Sequence, residues 1–341
     1  MKAPAFWWQA PSTASTLLSP LGYLYGRIAA RNLKNGKRVS LPIPVICVGN
    51  LTVGGAGKTP TALALAEAAK ALGRKPGFVS RGYGRRGRKP LLVDPDNHKA
   101  ETTGDEPLLL AATAPTAVCA NRQKAANLLI EDAGCDFVIM DDGFQSAQLQ
   151  SDYALLAVDA RRGLGNWEVF PAGPLRAPLK TQFAYPSSVL LIGSGEAGAA
   201  VVSEAARSNH AVHRAHLVAE DGERLSGMRV LAFAGIGDPQ KFVESLKACG
   251  AKVERSRAFP DHHRYTAEDI SSLSGEAWKS GLQLVTTAKD AARLRTGDEA
   301  ARLFLKECEV LEVALTFDGE TTARSIVKQA LAEFHRRRYG V

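Results

Sequence analysis

The run Val45-Ile46-Cys47-Val48 passes directly into Gly49-Asn50-Leu51-Thr52-Val53-Gly54-Gly55-Ala56-Gly57-Lys58-Thr59, and Pro60 opens a helical pattern. No other feature constrains the fold as tightly. A buried strand that turns through clustered glycines into a helix lets backbone N–H groups wrap phosphate oxygens, with the positive end of the helix facing them. In such a loop Lys58 neutralises the β- and γ-phosphates and the Thr59 hydroxyl ligates magnesium. The common pattern is G-x-x-x-x-G-K-[ST], and here Thr52 stands where its first glycine belongs. Gly-Lys-Thr alone is a weak signal; the flanking strand and helix and the two further glycines carry it. Residues Thr52, Val53, Gly54, Gly55, Ala56, Gly57, Lys58 and Thr59 are therefore expected to hold a nucleotide, ATP with Mg2+.

A second motif completes that chemistry. Asp136-Phe137-Val138-Ile139-Met140-Asp141-Asp142-Gly143 is an apolar strand ending in two carboxylates. A phosphate-loop enzyme needs an acid at such a strand end to hold the hydrated metal. Asp141 is the first candidate and Asp142 the second, although Asp-Gly is also a common turn pair.

Alternating apolar strands and helical patterns extend the motif into a fold. Strands are predicted over 45–49, 77–80, 91–93, 116–119, 136–141, 153–159 and 188–193, and helices over 58–72, 105–113 and 121–133. That alternation predicts an α/β, P-loop NTPase-like parallel sheet covered on both faces. The pattern weakens around 195–216. A second set then follows, with strands at 229–234, 252–258, 282–287 and 309–315 and helices at 239–249, 267–279 and 320–338. The expected division is an amphipathic segment 1–40, a P-loop domain 41–200, a smaller α/β domain 201–318 contributing to the cleft, and a basic C-terminal helix 319–341.

Charge bears on the partners. The chain of 341 residues carries 43 Lys and Arg against 35 Asp and Glu, a net charge of +8, which favours anionic partners. No acid precedes Glu67, whereas Lys2, Arg27, Arg31, Lys34, Lys37, Arg38 and Lys58 do, and His335-Arg336-Arg337-Arg338 forms a second basic cluster. No nucleic-acid-reading motif accompanies them, so nucleic acid is not an expected partner, and no obligate protein partner is expected. No apolar run reaches the roughly 20 residues that span a bilayer, and no secretory signal pattern opens the chain. Leu17, Leu21, Leu24 and Ile28 follow helical spacing, with Ser19 as the expected N-cap, Pro20 at the first helical position and Asn35-Gly36 as the stop. Two readings stand side by side: a helix lying on an anionic membrane surface, or one packed on the protein's own core. The five cysteines form no C-x-x-C pair and read as buried thiols of a reducing compartment.

Taken in order, these segments resemble the tetraacyldisaccharide 4'-kinase (lipid A 4'-kinase) family. The resemblance runs through the phosphate loop, Ser80-Arg81-Gly82-Tyr83-Gly84, Gly104-Asp105-Glu106-Pro107, Asp141-Asp142-Gly143-Phe144-Gln145, Pro171-Ala172-Gly173-Pro174-Leu175-Arg176, Phe233-Ala234-Gly235-Ile236-Gly237, Phe259-Pro260-Asp261-His262 and Thr286-Thr287-Ala288-Lys289-Asp290. It implies transfer of the ATP γ-phosphate to the 4'-hydroxyl of an acylated glucosamine disaccharide 1-phosphate, giving lipid IVA. It further implies a peripheral, monotopic enzyme on the cytoplasmic face of the bacterial inner membrane, which favours the membrane reading of residues 17–35. The family's catalytic aspartate matches Asp105 and its partner histidine matches His262, with Lys58 as the third catalytic residue. His262 would tune or orient Asp105, which accepts the hydroxyl proton. Arg176 is the expected further phosphate contact, and Arg81 and Tyr83 would line the cleft, while Lys289 and Asp290 read as a structural pair. The chain departs from the family pattern at Ser146, Ala177 and Ala288, which bears on secondary metal or nucleotide contacts there and leaves Lys58, Thr59, Asp105, Asp141 and His262 in place. A competing reading is a partitioning-type ATPase switch; that group carries a lysine where Val53 stands here.

Overall fold

The computed structural model of the protein describes residues 3–340, so Lys2 of the basic N-terminal cluster and position 341 of the expected C-terminal helix lie outside the described residues. One sheet of twelve strands runs through the molecule in the order β10-β9-β11-β12-β8-β7-β6-β1-β5-β2-β4-β3. Its first seven strands in the chain are β1 (Val45–Asn50), β2 (Pro76–Ser80), β3 (Leu91–Leu92), β4 (Thr116–Val118), β5 (Phe137–Asp141), β6 (Tyr153–Asp159) and β7 (Ser188–Ile192). The remainder are β8 (Ala211–Glu220), β9 (Arg229–Ala234), β10 (Lys252–Ala258), β11 (Gln283–Thr287) and β12 (Cys308–Phe317). Pairing is parallel except where β3 meets β4 and where β12 meets β8.

The helices are α1 (Thr13–Asn35), α2 (Lys58–Ala71), α3 (Ala100–Thr103), α4 (Asp105–Ala111), α5 (Arg122–Glu131) and α6 (Leu179–Gln182), then α7 (Ala197–Arg207), α8 (Pro239–Ala248), α9 (Ala267–Ser280), α10 (Ala288–Arg295), α11 (Glu299–Lys306) and α12 (Thr322–Tyr339). Successive strand residues point to opposite faces, and both faces are covered, which is why the central strands are apolar throughout. In β1, Val45 and Cys47 join the core under α5 and α7, while Ile46 and Val48 join the core under α2 and α12. The strands β9 and β11 have cores of their own, beneath α8 on one side and beneath α9 and α11 on the other.

One local expectation is corrected, and of the two readings of α1 one is removed. Helix α1 begins at Thr13, capped by Ser12, so Pro20 lies inside it rather than at its start. The missing N–H of Pro20 leaves the Thr16 carbonyl free, and the Ser19 hydroxyl donates to that oxygen at 2.8 Å, which is how the helix tolerates the ring. The apolar row of α1 also does not pack on the protein's own core. Gly22, Gly26 and Leu33 face inward, whereas Leu17, at 75 % exposure, and Leu21, Leu24 and Ile28 face outward. Strand β8 and helices α7, α10 and α11 arise where no regular element was expected.

Candidate active site

The phosphate loop leaves the C-terminal edge of β1, and the neighbouring strand β5 ends there too, with Val48 in register with Asp141. Helix α2 starts directly behind the loop. Gly57 caps it at φ +81°, a left-handed conformation, and a Cβ there would also meet Ile192 Cδ1 at 2.7 Å. The loop is braced from below. Asn50 Nδ2 donates to the carbonyl oxygens of Thr52 and Gly54 at 2.6 and 3.1 Å, and Val53 N–H donates to Pro174 O at 2.7 Å. Thr52 thus takes the place of the usual glycine as part of a bridge to Leu175.

Three side chains converge on the loop as the sequence suggests. Thr59 Oγ1 lies 3.4 Å from Asp141 Oδ2, while the other oxygen of Asp141 is buried and meets no hydrogen-bond donor. Burial, reinforced by the charge of Glu106, pushes the Asp141 carboxyl up to about 7. Burial lowers the Lys58 ammonium from its ordinary value; its Nζ lies 3.8 Å from Asp142. Asp142, at φ +53°, pairs with Arg176, whose guanidinium grips both its oxygens at 3.0 and 3.1 Å and donates to Thr52 O at 3.0 Å. Burial opposes the charge of Asp142, but Lys58 and Arg176 hold its carboxyl below the usual range. Arg176, expected as a phosphate contact, is thus engaged beside the loop with Asp142.

The second cluster assembles from both ends of the sheet. Asp105 and Glu106 form the first turn of α4, where the helix dipole favours acids. His262 comes from the turn after β10, in a left-handed conformation at φ +60°, and its Nδ1 lies 3.0 and 3.1 Å from the two oxygens of Asp105. Asp105 is 5 % exposed. Burial alone would raise its carboxyl, but the His262 hydrogen bond and the Arg293 charge hold it well below the usual carboxylate range. The same hydrogen bond holds His262 above the ordinary imidazole value. Tyr83, 69 % exposed, lies with its ring centroid 5.4 Å from that of His262, at the mouth of a cavity of about 310 Å³ that reaches Asp105.

The residues 286–290 correct one expectation. Lys289 pairs with Glu106, not with Asp290, and Asp290 pairs with Arg293. Lys289 draws the Glu106 carboxyl down, and Glu106 also lies within electrostatic reach of Lys58, which ties the Asp105 cluster to the phosphate loop. Sequence reading missed Arg293. Its only local signal is a basic residue three positions after an acid in a helix.

Nearby, a polar cavity of about 510 Å³ lies between the end of α1 and the ends of β4 and β5, lined by Arg31, Arg81, Arg122, Gln145 and Ser146 among others. None of its lining residues is acidic. Arg122 is 3 % exposed; its Nη1 donates to Cys119 O at 3.1 Å, and its Nε meets no acceptor. Ser146, one of the departures from the family pattern, lines this cavity, whereas Ala177 is buried in the core and Ala288 begins α10.

Comparison with known proteins places this geometry. The family model for tetraacyldisaccharide-1-P 4'-kinase matches residues 14–332. A tetraacyldisaccharide 4'-kinase of Allorhizobium ampelinum is 48 % identical over 344 residues, covering 99 % of each chain. One from Chelativorans sp. is 48 % identical over 329 residues, covering 96 % of each. A crystal structure of LpxK from Aquifex aeolicus in complex with ATP superposes with a TM-score of 0.70 at 26 % identity, covering 93 % of this chain and 99 % of that one. The P-loop-type α/β fold expected from the sequence is the fold observed.

Proposed function

The chain belongs to the tetraacyldisaccharide-1-P 4'-kinase family, and we propose from its geometry how it carries out the reaction of that family, transfer of the ATP γ-phosphate to the 4'-hydroxyl of tetraacyldisaccharide 1-phosphate to give lipid IVA. The observation that carries the reading is the meeting of two half-sites: a phosphate loop with Lys58, Thr59 and Asp141, and beside it the Asp105–His262 pair, linked through Glu106.

Magnesium fits the first half-site. Thr59 Oγ1 adjoins Asp141, one of whose oxygens has no hydrogen-bond partner, and magnesium takes only one or two carboxylates while keeping waters and phosphate oxygens. When bound, it neutralises charge on the β- and γ-phosphates. Lys58 and the loop N–H groups orient the triphosphate, and Arg176 with Asp142 holds the loop's far side. Asp105 accepts the proton of the 4'-hydroxyl as its oxygen bonds to the γ-phosphorus and the bond to the β-phosphate oxygen breaks, releasing ADP. His262 orients Asp105 from the other half of the sheet.

The acceptor is a lipid disaccharide phosphate. The acid-free cavity of Arg31, Arg81 and Arg122 suits its 1-phosphate, since guanidinium groups bind phosphate in bidentate fashion and Arg122 Nε lacks an acceptor. No helix among the described residues is long and apolar enough to cross a membrane. The outward row of Leu17, Leu21, Leu24 and Ile28, flanked by Arg27, Arg31 and Lys34, supports a helix lying in the surface of an anionic bilayer, at the cytoplasmic face of the inner membrane.

The test is transfer from γ-labelled ATP with magnesium and the acylated disaccharide 1-phosphate in detergent, with Lys58→Ala as the blank. Label in the lipid that vanishes in the variant is the expected result. Label released only as free phosphate would point to a switch ATPase and overturn the reading.

A further inference from the structure

Arg293 is almost wholly buried between the two halves of the sheet, on α10, and none of the known motif residues explains it. Its Nε donates to Asp105 Oδ2 at 2.8 Å, and Nη2 donates to the same oxygen. Its Nη1 donates to Gly235 O at 2.8 Å and to Asp290 Oδ1 at 2.6 Å. Asp290 is itself fully buried and immobilised: its Oδ1 accepts from Gly235 N–H at 3.0 Å and from the Tyr265 hydroxyl at 2.9 Å, and its Oδ2 accepts from the Thr287 hydroxyl at 2.6 Å. A side chain anchored this firmly from behind cannot follow Asp105; Asp105 must conform to it.

The consequence is an asymmetry in the carboxylate. Oδ2 receives both Arg293 contacts as well as His262, whereas Oδ1 receives His262 alone. Only Oδ1 keeps a lone pair free for a further proton. We propose that Arg293 is a positioning residue for phosphoryl transfer, fixed by Asp290 and holding Asp105 so that Oδ1 is the oxygen presented to the acceptor hydroxyl. The inference rests on Asp105 being the proton acceptor of the reaction proposed above. A fixed guanidinium gives this orientation in plane, which a lysine ammonium does not. It also lowers the basicity of Asp105, a tolerable loss because a loose phosphoryl-transfer transition state depends mainly on positioning and electrostatics.

Asp105 is faced by Glu106 from its own helix, by Lys289 and Arg293 from α10 and by His262 from the turn after β10, while Asp290 faces Arg293 and Asp261 faces His262. Removing Arg293 leaves His262 as the one cation in hydrogen-bond contact with Asp105, so the acid limb of the kcat/KM profile should move to higher pH. The test compares Arg293→Met and Arg293→Lys in the full-length protein. The Met variant should lose on the order of 10²-fold in kcat, the usual cost of a misplaced reacting group, with the KM for ATP little changed. Its acid limb should rise, and the Lys variant should recover part of kcat. Independently of turnover, NMR titration should show the His262 imidazole pKa higher in the Met variant, because a neighbouring positive charge has gone. A folded, ATP-binding Met variant with wild-type kcat and an unmoved acid limb overturns the proposal, even where the wild-type protein transfers phosphate to the lipid. An unshifted His262 titration overturns it whatever the reaction. If the Met variant fails to fold, the Lys variant decides: wild-type kcat and an unmoved acid limb there count against the proposal.

Discussion

At the scale of single residues, Asp141 shows how burial and function are set against each other. One of its oxygens meets nothing, and burial with the nearby Glu106 charge keeps its proton to about 7 in the metal-free protein. A group with a raised folded pKa contributes stability that is complete below its unfolded value and is lost as pH rises through the folded one. A bound cation reverses that preference. Magnesium–nucleotide binding should therefore weaken by about tenfold for each pH unit below about 7, the slope of one linked proton. Asp141→Asn should flatten this slope and weaken binding at every pH, measured by calorimetry against wild type; parallel slopes would mean Asp141 is already ionised. Lys58, Thr59 and Asp141 were legible because each sits in a short segment whose own pattern states its task. Asp105 and His262, 157 positions apart, became a pair only through the family resemblance. Arg293 was illegible because its partner lies 188 positions away and its helix is burdened with charge.

At the scale of elements, the sequence located the strands best where both faces are buried and continuous apolar runs mark them. It failed at β8, where only Ala215 is buried and His213, Arg214 and His216 break the apolar run, and at α10, which is buried by ion pairs rather than by an apolar stripe. Helix α1 inverts the usual arrangement. Its glycines face the protein, where a Cβ on Gly22 would meet Val169 O at 2.8 Å, while Leu17, Leu21, Leu24 and Ile28 face out. The two faces should respond oppositely to substitution. Leu21→Glu with Leu24→Glu should leave the thermal unfolding midpoint unchanged yet lower binding to anionic vesicles more than about tenfold, given roughly 1.5–3 kcal/mol for each leucine buried. Gly22→Val should lower the midpoint, since the clash is with backbone. Unaltered vesicle binding by the double glutamate variant would place the docking face elsewhere.

At the scale of the whole molecule, the two ends of the sheet are fastened across the site by cations from one side and acids from the other: Arg264 on Glu101, Lys289 on Glu106, and His262 with Arg293 on Asp105. Lys289→Glu would set like charges against Glu106. Hydrogen exchange should then accelerate in α3, α4 and the 259–263 turn while β1, β5 and β6 stay protected; uniform protection would show that the clamp does not govern the local opening. Apart from the Asp105–His262 pair, which the family resemblance implied, none of these contacts was readable from sequence, because each joins segments far apart in the chain. The pairing of β8 with β12 has a different bearing. Glu220 lies opposite Glu312, so the chain leaves β8 and returns on β12 at the same rung of one antiparallel ladder. Topologically, residues 221–311 are a cassette inserted at the tip of a hairpin, the kind of position where a protein accepts exchange of its connection. His262, Lys289 and Arg293 travel together in that cassette, while the hydrogen bonds that shape the phosphate loop stay behind. Splicing at these two glutamates would therefore exchange the residues that orient Asp105 without redrawing the site that holds ATP.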